Sequence, residues 1–167
     1  SIIEDQDDYD IIVSLHQILE GKLQLGDFEV EEGKVISLKL KDHPQLKRIP
    51  AEIGNLKHLK KLRIELPNIT NLPNSIGNLG LLEELFIVCP SLVIFPETLR
   101  NIRALKKIIG REARELRSIP NSIGNLSELE YLEINKSKIK ALPESFGKLK
   151  KLKDLLFLES NLEKLPE

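Results

Sequence analysis

The sequence has a single cysteine, and only 4% of its 167 residues are aromatic. One cysteine excludes an internal disulfide framework. Because 41% of the residues are hydrophobic and so few of them are aromatic, a core must be built mainly from leucine and isoleucine. The length is that of one domain.

Neither an excess of one charge nor a long apolar run is present. The formal net charge is −1, which gives no general attraction to nucleic acid or to an anionic membrane. No stretch of about 20 apolar residues occurs, so no membrane span is predicted. Residues 1–5 lack the basic and apolar segments of a targeting signal. Since the sequence does not begin with methionine, a soluble protein in the cytoplasm and one secreted after removal of a signal both stay open.

Motifs for catalysis and for binding metals or cofactors are also missing. The three histidines, His16, His43 and His58, lack the spacing of metal ligands. Cys89 has no histidine near it in the sequence and precedes Pro90, which favours a small packed thiol over a nucleophile. No glycine-rich phosphate-binding loop occurs. The chain is therefore predicted not to be an enzyme and to use no cofactor and no metal.

What the sequence does contain is a repeat marked by proline. Six prolines recur at intervals of 23, 23, 24, 23 and 23 residues, and each is preceded by an apolar residue. They are Pro50, Pro73, Pro96, Pro120, Pro143 and Pro166. A constant period in the twenties indicates one small unit repeated along the chain, in which each unit buries its apolar side against its neighbours.

Each unit is predicted to contain one short strand and one turn. The clearest unit spans 129–149 and has apolar residues at 129, 132 and 134. Leu132 and Ile134 share one face of a strand, because strand side chains alternate between two faces. The segment that starts at Pro143 is predicted to be a turn or a short helix, with proline in the first helical position because it has no N–H to lose.

This pattern resembles the leucine-rich repeat family over residues 35–167. The segment 72–79, Leu-Pro-Asn-Ser-Ile-Gly-Asn-Leu, and its near-copy at 119–126 are similar to short repeats of bacterial and archaeal proteins and of plant disease-resistance proteins. The resemblance implies an α/β fold, a right-handed curved solenoid whose parallel sheet lines the concave face. Residues 35–167 would then form six repeats.

Residues 1–34 do not fit the repeat and are predicted to form an N-terminal cap. Asp7 or Asp8 can cap a helix that ends at Gly21. Its apolar face is predicted to consist of Tyr9, Ile12, Leu15 and Leu19. Residues 28–38 are predicted to form a hairpin that leads into the first repeat. A solenoid needs such a cap, because its first repeat would otherwise expose an open edge.

The repeats depart from the family's pattern in two ways. The family usually has asparagine or cysteine after the strand, where the side chain bonds the backbone of the neighbouring loop. The six equivalent positions here are His43, Pro67, Pro90, Ala113, Ser137 and Ser160. Cys89 lies one residue too early for that role, so the role is not assigned to it. Arg100 replaces the glycine found at 54, 77, 124 and 147, which indicates that these glycines are packing or helical choices and need no positive φ.

Side chains between the strand leucines should point out of the sheet, on the concave face. The first two strands place mostly basic residues there, and the later strands place apolar ones. Apolar groups surrounded by charges on such a face suggest a partner-binding patch, although residues of high β-propensity can also be tolerated there without a function. The candidate partner-binding residues are Lys39, Lys61, Arg63, Phe86, Val88, Ile109, Arg111, Tyr131, Leu156 and Leu158.

The sequence therefore predicts a non-catalytic module that binds a protein or peptide, with Phe86 and Tyr131 as anchors and nearby cations attracting an acidic segment. Two alternatives stay open: a recognition or sensor fragment of a larger signalling or enzymatic protein whose effector domain is absent, and a self-assembling structural solenoid. The final unit has no covering element, so a weak homodimer through this edge is also expected. The candidate edge residues are Leu152, Leu155, Phe157, Leu162 and Leu165.

Overall fold

The computed structural model describes residues 2–166 of the chain. Within them an α-helix precedes seven β-strands, and a short 3₁₀ helix lies between each two successive strands from the second strand onward. The elements are α1 (Gln6–Ile18), β1 (Phe28–Glu31), β2 (Lys34–Lys41), β3 (Lys61–Glu65), β4 (Glu84–Val88), β5 (Lys107–Arg111), β6 (Tyr131–Ile134) and β7 (Asp154–Leu156). Ser1 and Glu167, the outermost residues of the predicted cap and repeats, lie outside the described residues.

The seven strands form one open sheet in chain order. β1 and β2 pair antiparallel, as the predicted hairpin requires, and β2 to β7 pair in parallel. Parallel neighbours need a connection that crosses over, and the 3₁₀ segments supply it in every repeat. One ladder of aligned core residues consists of Leu38, Leu62, Leu85, Ile108 and Leu132. The predicted α/β repeat solenoid with a helix and hairpin at its start is confirmed.

Proline was predicted in the first position of the short helix, but it lies one residue before the 3₁₀ helix. Pro143, for example, is the residue before the helix, with an extended backbone at φ −69° and ψ 149°. Its carbonyl accepts a 3.0 Å hydrogen bond from the Phe146 N–H and so closes the turn. The apolar residue before the proline is buried in the first five repeats, whereas Leu165 before the sixth proline is 67% exposed.

Glycine in the 3₁₀ segments is needed because successive repeats stack closely. The backbone of Gly124 has no positive φ, as Arg100 at the equivalent position predicted. A β-carbon on Gly124 would lie 2.5 Å from the Ser145 carbonyl oxygen in the next repeat. The equivalent Gly147 has open space around it, because no described repeat stacks on it. Glycine at position 124 is therefore required by close packing between repeats and not by its backbone conformation.

The N-terminal helix is capped by a different aspartate from those predicted. Asp5, and neither Asp7 nor Asp8, is the N-cap, and its side chain accepts a 3.1 Å hydrogen bond from the Asp8 N–H. Asp8 is buried and accepts a 2.8 Å hydrogen bond from the Val35 N–H, which ties the helix to the first repeat. Burial raises the pKa of the Asp8 carboxyl. Tyr9, predicted on the apolar face, is exposed.

Where a proline follows the strand, it changes which residue is buried in the loop. Lys136 has a positive φ of 57°, and the residue after it, Ser137, is buried. Cys89 precedes Pro90, and a residue before proline is held in extended backbone, so Cys89 itself takes the buried site. Its Sγ lies 3.8 Å from the Ile64 carbonyl oxygen. Cys89 is buried, as predicted for a small packed thiol. The proline shifts the buried loop position by one residue, and this is why counting along the sequence did not align Cys89 with the buried loop residue of other repeats.

Candidate partner-binding face

Strand side chains that point away from the core cover one face of the sheet, called the sheet face below. Parallel pairing aligns them in rows that cross all six repeats. The middle row consists of Lys39, Arg63, Phe86, Ile109, Glu133 and Leu156. The flanking rows include Lys41, Lys61, Glu65, Glu84, Val88, Lys107, Arg111, Tyr131 and Asp154. Nine of the ten candidate residues therefore lie in the strands of this face, and Leu158 follows two residues after β7.

Phe86, at the centre of the sheet face, is flanked by two arginines. The guanidinium carbon of Arg63 lies 4.0 Å from the Phe86 ring centroid, and that of Arg111 lies 5.6 Å from it. Guanidinium groups are attracted to an aromatic ring face at such distances. Arg63 also donates a hydrogen bond to Glu65. The ring that the sequence suggested as a free anchor is thus part of an ordered stack of three side chains.

Glu133 connects this stack to the next strand. Its buried carboxylate accepts hydrogen bonds from Arg111 Nε at 2.9 Å, from the Tyr131 hydroxyl at 2.8 Å and from Asn135 Nδ2 at 2.8 Å. The hydrogen bond from Arg111 holds the pKa of the Glu133 carboxyl below its usual range, although burial opposes this. A buried carboxylate must be paired, and three donors satisfy this requirement. Glu133 therefore orients Arg111 beside Phe86.

Tyr131 has a structural role in addition to its place on the sheet face. Its hydroxyl donates to Glu133, which raises the pKa of the Tyr131 phenol. The Lys107 ammonium lies 4.9 Å from the Tyr131 ring centroid. Replacing Tyr131 by alanine would remove a donor from a buried carboxylate, so such a variant would change stability as well as binding. Phe86 is therefore the better site for a binding test.

A groove of about 350 Å³ opens on the sheet face over β2 to β5. Residues 26–29 of the N-terminal cap line it on one side, and strand residues line the rest. The strand residues that matter most are Lys39, Lys61, Arg63, Phe86, Lys107 and Ile109. Within residues 2–166, neither Lys39 nor Lys61 takes part in an ion pair. Both ammonium groups are therefore available to an acidic ligand.

The opposite end of the sheet face is apolar. Leu156 is 37% exposed and Leu158 is 55% exposed, while Ile109 and Val88 are half-buried between this end and the basic end. The Leu158 backbone is held beside β6, because its N–H donates to Asn135 Oδ1 and its carbonyl accepts from the Lys136 N–H. The face therefore changes from cationic to apolar along the direction that crosses the strands.

Sequence reasoning missed two parts of this face. Glu133 was not a candidate, although Tyr131 lies two residues before it, Asn135 lies two residues after it and Arg111 lies one repeat earlier. That combination of donors around one carboxylate was a usable signal. The wall formed by residues 26–29 had no such signal, because the position of the cap against the first repeat depends on tertiary contacts.

The candidate edge residues divide into two sets. Leu155 and Leu165 are exposed, whereas Leu152, Phe157 and Leu162 are half-buried and pack against the core. The described part of the final unit thus has accessible apolar surface at Leu155 and Leu165.

Two kinds of reactive group bear on possible chemistry in the described part of the chain, a thiol nucleophile and a cluster of metal ligands. Burial raises the pKa of the Cys89 thiol to about 11, so it stays protonated and unreactive at neutral pH. No group of three or more histidine, cysteine, aspartate or glutamate side chains within residues 2–166 is placed to hold a metal ion. None of the described helices has the length and apolar character needed to cross a bilayer.

Neither a protein-family model nor a curated protein matches this chain. Several solved structures do match this chain. The ectodomain of the receptor kinase SOBIR1 from Arabidopsis thaliana superposes with a TM-score of 0.67 at 18% identity over 99% of this chain and 98% of that one. The leucine-rich repeat domain of the type III effector XCV3220 (XopL) gives 0.55 at 26% identity, covering 88% of this chain and 57% of that one.

A third match is the plant peptide hormone receptor RGFR1 in complex with RGF2, with a TM-score of 0.46 at 26% identity. It covers 69% of this chain, which in turn spans 23% of that receptor chain. The likeness to SOBIR1 over almost the whole of both chains, together with the ordered parallel sheet, identifies the leucine-rich-repeat fold.

Proposed function

We propose that this leucine-rich-repeat chain is a non-catalytic recognition module that binds a protein or peptide on its concave sheet face. The observation that carries the proposal is the stack of Arg63, Phe86 and Arg111 beside a groove of about 350 Å³. A solvated sheet would carry small or purely polar side chains at such positions, and none of these three residues supports the core.

The composition of the stack fits a binding site. Aromatic residues and arginine are enriched at the centres of protein interfaces and contribute most of the binding energy there. Arg111 is already fixed by Glu133 at 2.9 Å, so little side-chain entropy remains to be lost when a partner binds. The anchor is therefore ordered before binding.

The fold supports the same class of function. The matched SOBIR1 chain is the ectodomain of a receptor kinase, and the XopL chain is the repeat domain of an effector. Each is one part of a larger protein, a receptor kinase in the first case and an effector in the second, and this agrees with a recognition module here. A fold alone does not establish a function, so the proposal depends on the sheet face itself.

Selection from a library of random twelve-residue peptides displayed on phage tests the proposal. The wild-type chain is expected to enrich a recognisable family of peptides, and the variant with both Arg63→Ala and Phe86→Ala is expected to lose that enrichment. The matched control is Leu81→Ala with Arg103→Ala, which also removes one arginine and one exposed apolar side chain but outside the sheet face. Equal enrichment by the sheet-face variant, or none by the wild type, would contradict the proposal.

A further inference from the structure

The basic end of the sheet face has cations without internal partners. Strands β2 and β3 place Lys39, Lys41, Lys61 and Arg63 on this face with one acid, Glu65. Three further acids line the groove on this face from the cap and from β4: Asp27, Glu29 and Glu84. Arg63 is engaged by Glu65 and Phe86, and Lys41 lies 3.3 Å from Asp42. Lys39 and Lys61 have no ion-pair partner within residues 2–166. An acidic ligand can therefore pair with both lysines without breaking an existing contact.

The other end of the face has apolar surface with one acid, Asp154, and no cation among the described residues of β7. Leu156 and Leu158 are exposed on β7 and just after it. Two acids lie between the two ends. Glu84 on β4 lies in a row between the cations Lys61 and Lys107. Glu133 has its carboxylate occupied by three donors and is paired with Arg111. Its charge is therefore compensated, and an acidic ligand that crosses the face meets no free negative charge from it.

The middle row sets the distance between the two ends. Arg63 on β3 and Leu156 on β7 are separated by four strand spacings in the parallel register. Neighbouring strands lie about 4.8 Å apart, which gives roughly 19 Å. An extended peptide rises about 3.3 Å per residue, so about six residues cover that distance, with Phe86 and Ile109 beneath the middle of the peptide.

We infer that the segment recognised by this face is an extended peptide with two polarities, acidic at one end and apolar about six residues away. It crosses the strands, with the acidic end over Lys39 and Lys61 and the apolar end over Leu156 and Leu158. This inference rests on the proposed function and adds the chemistry, spacing and placement of the partner. Complementary charge at one end and burial of leucine at the other supply the affinity.

Four labelled ten-residue synthetic peptides test the inference by fluorescence polarisation. The first has two aspartates and two leucines centred six residues apart in a glycine-serine background. The second has the same four residues adjacent to one another, the third has asparagine for aspartate, and the fourth has serine for leucine. Each is made in both chain directions, because the row of side chains allows either. The first peptide, in one direction or both, is expected to bind at least about tenfold more tightly than the other three, which is about 1.4 kcal/mol.

Two protein variants connect each end of the peptide to its place on the face. Lys39→Ser with Lys61→Ser is expected to abolish the preference for aspartate over asparagine and to leave the preference for leucine. Leu156→Ser with Leu158→Ser is expected to do the reverse. All four side chains are outside the core, and thermal melts confirm that each variant folds. Lys47→Ser with Lys148→Ser, a pair of exposed lysines away from the sheet face, is the control and should change neither preference.

The outcomes separate the inference from the proposed function. Equal binding of the four peptides, or preferences that survive both protein variants, overturns the inference. Selection of basic peptides from the random library, lost with Arg63→Ala and Phe86→Ala, overturns the inference and keeps the proposed function. A second copy of this chain that occupies the face, seen as a dimer removed by Leu158→Ser, also overturns it. If no peptide binds and the library yields nothing that depends on the sheet face, both are wrong.

Discussion

Replacing Gly124 by alanine should force two stacked repeats apart, whereas replacing Gly147 by alanine should not destabilise the fold. The β-carbon at Gly124 would lie 2.5 Å from the Ser145 carbonyl oxygen and 2.7 Å from the Ser145 β-carbon, while nothing lies within 4 Å of the one at Gly147. Backbone cannot move aside as a flexible side-chain end can. Gly124→Ala is therefore expected to overpack this contact, which should lower the free energy of unfolding by about 1–3 kcal/mol.

Both substitutions also restrict the unfolded chain, which stabilises a protein by about 0.4–1 kcal/mol where the native backbone is accessible to alanine. Neither glycine has a positive φ, so this gain is common to both variants. Gly147→Ala should be slightly more stable than the wild type. The difference in unfolding free energy between the two variants is then the overpacking cost alone, about 1–3 kcal/mol.

Equilibrium unfolding in urea measures this difference. With a slope of about 1–3 kcal/mol per molar urea, the midpoint of Gly124→Ala should lie roughly 1 M below that of Gly147→Ala. Equal slopes for the two variants show that their midpoints can be compared. Equal midpoints would refute the reasoning that stacking of the next repeat demands glycine, and would leave a local helical preference as the better explanation.

Three further predictions concern the core, the cap and the open edge. Leu132→Ala should lower the free energy of unfolding in urea by roughly 2–5 kcal/mol, because it leaves a cavity. Leu155 is aligned with Leu132 in β7 but is exposed, so Leu155→Ala should lower it much less. Equal losses would refute the register. His43 is buried and its pKa is lowered by that burial, so the unfolded chain takes up a proton near pH 6.5 before the folded chain does. Stability should therefore fall as the pH drops below about 6.5, and a slope that His43→Ser leaves unchanged would exclude this cause. Sedimentation equilibrium should show a weak dimer that Leu165→Glu removes, and a strict monomer at high protein concentration would contradict a dimer through this edge.

The periodic part of the fold could be predicted from the sequence because each repeat position has the same neighbours in every unit. The spacing of Pro73, Pro96 and their equivalents gave the repeat length, and Leu132 and Ile134 gave the inward face of the strand. Repeats one period apart are adjacent, so the period alone aligns Arg63 with Phe86. Positions that depend on contacts outside the period were less predictable.

The cap shows why those positions were missed. Asp5, Asp7 and Asp8 are chemically equal candidates for the helix cap, and only the burial of Asp8 against Val35 decides between them. Cys89 was predicted to be a packed thiol and is buried, but its equivalence to the buried loop residue of other repeats was missed, because Pro90 restricts the backbone before it and thereby moves the buried site by one residue.

The side-chain network on the sheet face depends on rotamers that no spacing specifies. Arg111 could have extended into solvent, since it lies diagonally from Phe86 in the sheet and not in the same row. The carboxylate of Glu133 orients it, and the sequence offers that information only when three strands are considered together.

The most direct test of partner binding on the sheet face is an NMR titration of the isotope-labelled chain with a peptide selected from the random library. Resonances of the arginine side-chain Nε–H groups report on both faces at once, because Arg63 and Arg111 lie on the sheet face while Arg100 and Arg103 lie on the opposite side of the solenoid. Binding on the sheet face predicts shifts for Arg63 and Arg111 that saturate with peptide, and none for Arg100 and Arg103. Shifts confined to Arg100 and Arg103 would contradict the proposed function.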